Sequence, residues 1–269
     1  MKLNHPCFKS ISVLFFATAL LTACDKNETE VNTQPAVVTE MTADETIMLL
    51  FDVIEPGVDD YQTRLIITSD YIRIDENTDE NNFVLVERKK DTVYSVSDDN
   101  DAILVVKKLP VDIESPVALE VSIDRSEISG EGVPDVGGRS VVQYEFKVND
   151  KVCHQALIAE GLLPQATKAM AEYRFILAGQ HASTMQSVPD DVNNACDLAE
   201  HIFYPDRHLQ FGLPIQERDP KGNKRTLVDF NNTFVADKKL FVLPADFGRF
   251  SIDELKNTAQ QPAQSEPAL

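Results

Sequence analysis

Between residues 47 and 106 the chain carries a series of short β-branched and aromatic runs, separated by polar spacers rich in Asp and Asn. No long helix fits between such breaks, whereas an antiparallel meander requires this rhythm. The runs are 47–53, 64–75, 83–87, 92–96 and 103–106, and the spacers 75–82, 88–91 and 98–101 read as turns. A further strand is expected at 119–123. Another is expected at Val142, Tyr144, Phe146 and Val148, which alternate with Gln143, Glu145 and Lys147 and leave one face wet.

The period then changes. Ala166, Ala169, Met170, Tyr173, Ile176 and Leu177 fall on one stripe of a helix, with Pro164 in its first turn. Val192, Ala195, Cys196, Ala199 and Ile202 suggest a second helix, opened by Pro189 and two aspartates. Strands return as a hairpin, 214–218 and 225–230 around the turn 219–222, and as a last strand at 240–243 closed by Pro244. The expected fold class is α+β: a curved, half-barrel-like antiparallel β-sheet with a helical pair inserted before the last strands, at about 154–204. Hydrophobic residues make up 43% of the chain, enough for one core, and 44–256 is expected to be a single domain.

Residues 65–75 (LIITSDYIRID), 83–94 and 240–244 (LFVLP) resemble the LolA/LolB-type half-barrel lipoprotein-carrier superfamily, and more closely its lipid-anchored relatives. The resemblance covers the strands between about 47 and 148 and the last strand; 153–204 is more helical than a carrier needs and has no counterpart. It implies a concave apolar face able to hold acyl chains.

The start of the chain reads as an address. Lys2 and Lys9 stand without an acid in 1–10, and the apolar run 11–21 suits a signal peptide but is too short to span a bilayer. It ends in Leu21-Thr22-Ala23-Cys24, which resembles the lipobox of bacterial lipoproteins. Residues 1–23 are then a signal peptide, Cys24 carries the acyl chains, and 24–43 is a flexible tether reaching roughly 25 Å. Asp25 resembles the retention signal of enterobacterial lipoproteins, which favours the inner over the outer membrane on the periplasmic side. Processing removes two lysines and no acid, so the formal charge moves from −19 to −21. That sign argues against nucleic acid as a partner. The end, 257–269, has the composition of a disordered tail.

Of four cysteines, Cys7 leaves with the signal and Cys24 is acylated, so Cys153 and Cys196 remain in an oxidising compartment and are expected to pair. The alternatives are a buried thiol pair or a metal site using His154, for which no further ligands stand nearby in sequence. Asp75, Asn77 and Asp79 mimic an EF-hand loop, but Glu80 replaces its glycine and Val86 its final acid, so a solvated turn is expected. The stretch 130–140 is glycine-rich, yet Gly138 stands where a phosphate loop needs lysine; a loop between strands is expected. His181, His201 and His208 have no nucleophile motif around them, and consecutive Glu200 and His201 should face different ways on a helix. No catalytic, cofactor-binding or metal-ligating residue is assigned.

These readings converge on a non-enzymatic, lipid-anchored binding or scaffolding module of the cell envelope, holding a lipid or lipoprotein on its concave sheet. The alternatives are a protein-interaction subunit of an envelope complex and a hydrolase. The hydrolase would require a buried cleft that sets His201 or His208 against an acid and a hydroxyl.

Overall fold

The computed structural model describes residues 46–77, 81–128, 135–185 and 194–255; the signal segment, Cys24, Asp25, the tether and the 257–269 tail lie outside the described residues. The strands are β1 (Ile47–Ile54), β2 (Tyr61–Ile67), β3 (Tyr71–Asp75), β4 (Phe83–Glu87), β5 (Thr92–Ser97), β6 (Ala102–Lys107) and β7 (Val121–Glu127). They continue with β8 (Asp135–Val136), β9 (Arg139–Val148), β10 (Lys151–Glu160), β11 (Gly212–Arg218), β12 (Lys224–Asn231) and β13 (Gly248–Ser251). Helices α1 (Pro164–Met185) and α2 (Ala195–Leu198) lie between β10 and β11. One open sheet runs in the order β13-β6-β5-β4-β3-β2-β1-β12-β11-β10-β9-β7, with β8 paired only to β9. Every pairing is antiparallel except that of β13 with β6. The class is therefore α+β, built on a large open sheet.

The meander forms as its turns dictate. The loops 88–91 and 98–101 are built alike: a single 3₁₀ turn, then an aspartate (Asp91, Asp101) in the left-handed region that Asp tolerates. The end of β2 (Leu65–Ile67) and most of β4 are buried on both faces, which suits their apolar runs, whereas β3 buries Arg73 and Asp75 as well. One face meets α1: Leu49, Phe51, Leu65, Val84 and Val86 pack in a common core with Ala166, Ala169, Met170 and Ile176. The other face, with Ile66, Phe83, Leu85 and Ile103, is covered by Phe241 and Leu243.

Helix α1 has 22 residues, about 33 Å at its usual rise, and it touches both β11 and the β5–β6 side of the sheet. Gln180 donates to the Lys107 carbonyl (2.9 Å) and Arg88 to Glu172 (2.7 Å), tying the helix to the meander. At Gly179 a Cβ would stand 2.1 Å from the Leu109 carbonyl oxygen, so only glycine allows this close approach.

Several expectations are corrected. The run 64–75 is two strands, because Thr68 turns the chain: its hydroxyl accepts from the amides of Asp70 and Tyr71. The expected helical insert at 154–204 begins too early, since Lys151–Glu160 is strand β10. It is joined to β9 by Asn149-Asp150, both in the left-handed region, as a two-residue hairpin turn requires. The strand expected at 119–123 starts later, at Val121, and all of β7 is exposed. Residues 240–243 are not a strand; a 3₁₀ turn, Lys238–Phe241, presents Phe241 to the sheet, and the last strand is β13. The second helix is α2 followed by a π-helical turn, Ala199–Phe203, while 189–193 lie outside the described residues.

Candidate functional site

Helix α1 leaves a cavity of about 610 Å³ between itself, the sheet and the segment around α2, within the size range of small-molecule sites. Its apolar wall is made of Val53, Leu65 and Ile74 from the sheet with Met170 and Leu177 from α1. Its polar wall holds His154, Glu200, His201, Glu217 and Arg225. Met170, Tyr173, Arg174, Leu177 and His181 recur at helical spacing, so one stripe of α1 faces the cavity. Tyr173 and Leu177, expected in the core stripe, are half-buried because they line this space.

The polar wall is assembled from three parts of the chain. Strand β10 places His154 directly opposite Phe146 of β9. Register shifts fall on both sides of it, between Val152 and His154 and between Leu157 and Ile158; such bulges re-aim side chains. The preceding residue, Cys153, is disulfide-bonded to Cys196, with the Cα atoms 5.2 Å apart. The expected pairing is therefore present, with Cys153 after β9 and on β10. The bond pins α2 to β10, and Asn194 caps α2 by accepting from the Asp197 amide at 2.9 Å. The π-helical turn then brings Glu200 Oε1 within 3.4 Å of His154 Nδ1. Glu200 and His201 both line the cavity, against the expectation that they face apart.

The third part is the β11–β12 hairpin, where Glu217 pairs opposite Arg225. Arg225 donates Nε to Glu217 Oε2 at 2.8 Å, adds a second bond from Nη2 to the same oxygen, and stacks over Phe51 at 4.5 Å. The other carboxylate oxygen, Oε1, meets His154 Nε2 at 3.4 Å and His208 Nε2 at 3.3 Å. All three of these atoms are buried, and none makes a hydrogen bond.

Electrostatics follow from this crowding. Burial alone would depress His154, but the carboxylates of Glu200 and Glu217 raise it above an ordinary histidine. Burial pushes Glu200 up, yet His154 beside it holds it well below the usual carboxylate range. Glu217 is likewise held down, by Arg225 and the histidines against its burial. His208, fully enclosed, is driven well below its ordinary value by desolvation. Such an arrangement can hold a cation or the polar head of a ligand.

The sequence names His208 but not the acid it meets, and it does not single out Glu217, although the hairpin that sets Glu217 against Arg225 is expected. The available signal was Glu217 itself: Leu213 and Ile215 precede it at strand spacing, so an acid stands where an apolar residue is due. His181 and His201 meet edge to face, 5.6 Å between ring centroids. For the hydrolase reading, His208 does face an acid. Hydroxyls reach the cavity from Tyr61 and Thr63, and both lining cysteines are joined to each other. Of the EF-like residues, Asp75 is buried rather than solvated, and 78–80 lie outside the described residues. The glycine-rich stretch contributes a turn at Gly137-Gly138 between β8 and β9; 129–134 lie outside the described residues.

No family model matches this chain, and no curated protein matches it. Among solved structures the chain is similar to PNGF-II in its C2 crystal form, with a TM-score of 0.38 and 10% identity over 79% of this chain and 32% of that one. The P21 form gives a TM-score of 0.37 and 10% identity over 80% of this chain and 33% of that one. The chain thus spans about a third of the length of those structures, and a likeness at this level carries no argument about activity.

Proposed function

We propose that the chain is a lipid-anchored, non-enzymatic binding module on the periplasmic side of the bacterial cell envelope, which encloses the acyl part of a small amphiphile. The observation that carries this reading is the cavity under α1, apolar on one wall and charged on the other. An acyl chain meets Val53, Leu65, Ile74, Met170 and Leu177, while its polar head meets the histidine and carboxylate wall. The half-barrel resemblance supports the same reading, and the acyl anchor at Cys24, with Asp25 favouring the inner membrane, places the module beside its ligand.

The test is mass spectrometry of solvent extracts from protein purified out of native envelopes, paired with displacement of a fluorescent fatty acid. Wild type should carry acyl species and bind the probe, and Leu177→Trp, which fills the cavity, should weaken the probe at least about ten-fold. Absence of both acyl species and probe binding would rule the reading out.

A second reading, a subunit of an envelope complex, is favoured by β7. This edge strand is exposed throughout and presents Val121 and Ile123 to solvent, a shape to which a partner strand can add.

A further inference from the structure

The buried cluster of His154, His208 and Glu217 has a geometry that ion pairing alone does not account for. Each residue is at least nine-tenths buried. Each offers one polar atom (the two Nε2 atoms and Glu217 Oε1), and these lie within 4.8 Å of one another. None of the three is satisfied by a hydrogen bond, a condition that costs free energy unless a ligand relieves it.

We propose that these three residues form a binding site for a divalent transition-metal ion of the zinc type. Two imidazoles and one carboxylate are a donor set that zinc takes readily. In a tetrahedral site, donor atoms about 2.0–2.2 Å from zinc lie roughly 3.3–3.5 Å apart. The separations from Glu217 Oε1 to the two imidazole nitrogens are 3.4 and 3.3 Å.

The surroundings are those of a supported site. Arg225 holds Glu217 Oε2, which fixes the carboxylate and leaves Oε1 for the ion. Glu200 faces the other nitrogen of His154 at 3.4 Å, the position from which a carboxylate orients a metal-bound imidazole. Glu200 and Glu217 together supply two negative charges to balance a divalent cation. The disulfide secures this frame, since Cys153 adjoins His154 and Cys196 stands one turn before Glu200. His154 and Glu217 also line the cavity, so two of the three ligand residues stand where a cavity ligand can reach them. The proposal does not depend on an acyl chain occupying the apolar wall.

The experiment is a titration of the metal-stripped full chain with zinc, run in excess magnesium so that exposed acids are already occupied. Wild type should bind about one zinc per chain at micromolar concentration or better. Glu217→Gln and His208→Asn, each checked for folding by circular dichroism, should weaken binding by more than about 100-fold, and Glu200→Gln by about ten-fold. Cobalt substitution of wild type supplies a readout independent of the variants: intense visible bands of a four- or five-coordinate nitrogen and oxygen site are expected. Zinc binding that survives in the folded variants, a weak octahedral cobalt spectrum, or loading well below one ion per chain would each overturn the proposal.

Discussion

The molecule buries two carboxylates against arginines, Asp75 on β3 and Glu217 on β11, and treats their oxygens differently. Asp75 is saturated. Arg64 donates to both its oxygens at 2.9 Å, Arg73 adds a bond at 2.7 Å, and the Asn77 amide reaches it at 3.1 Å. Arg73 is itself completed by the Leu240 carbonyl (2.8 Å) and by the Phe83 ring, 3.8 Å away. Glu217 is half-saturated: Arg225 takes one oxygen, and the other is left among two imidazoles. A closed cluster locks strands together and offers nothing to a ligand. An open cluster at a cavity wall costs stability unless something binds there. The first is structural, and the second is where function is to be sought.

The comparison breaks most visibly at Asp75. Asp75→Ala leaves Arg73 buried without its partner and should cost about 3–5 kcal/mol by denaturant unfolding. Burial pushes the Asp75 carboxyl up, but Arg64 and Arg73 pull it below its ordinary value. A depressed carboxyl contributes stability above its unfolded pKa and loses it as pH falls through the folded value. Wild type should therefore weaken on acidification below about pH 4, and the Asp75→Ala variant should show less of that acid dependence.

Removing the disulfide by Cys153→Ser with Cys196→Ser should cost about 2–4 kcal/mol for a bridge spanning 43 residues. It should also loosen Glu200 from His154 and so lower zinc affinity, an effect Asp75→Ala should not share if it remains folded. Thiol labelling of denatured wild type should find Cys153 and Cys196 protected.

Glu217→Gln, measured without metal, should be the mildest of the three, about 1–3 kcal/mol, because only the Arg225 bonds to Oε2 are fully formed. A cost equal to that of Asp75→Ala would mean that both clusters are structural.

The meander was legible because each of its strands is bounded by a turn with a chemical signature: Asp91 and Asp101 close two of them, and Gly222 with Asp219 closes the β11–β12 hairpin. Helix α1 was legible through its stripe and Pro164. Strand β10 is less legible, because Asn149-Asp150 carries no glycine to mark its turn and Lys151–Glu160 alternates less cleanly than β9. Residues 240–243 misled because a short apolar run does not distinguish a strand from a capping turn. What that run does is cover the outer sheet face with Phe241 and Leu243.

The cluster was legible only in part. Counting pairs Cys153 with Cys196, and His154 stands beside Cys153 in the sequence. Its companions His208 and Glu217 come from a connecting turn and a distant hairpin, and only strand pairing across β10 and β11 brings them to it. No local spacing encodes that meeting.

The contrast between the two clusters is tested most directly by anomalous diffraction at the zinc edge from crystals of the full chain soaked with zinc. The account predicts a peak about 2.0–2.2 Å from His154 Nε2, His208 Nε2 and Glu217 Oε1, and none at Asp75. Peaks confined to exposed carboxylates, with the space between the two imidazoles empty, would contradict it.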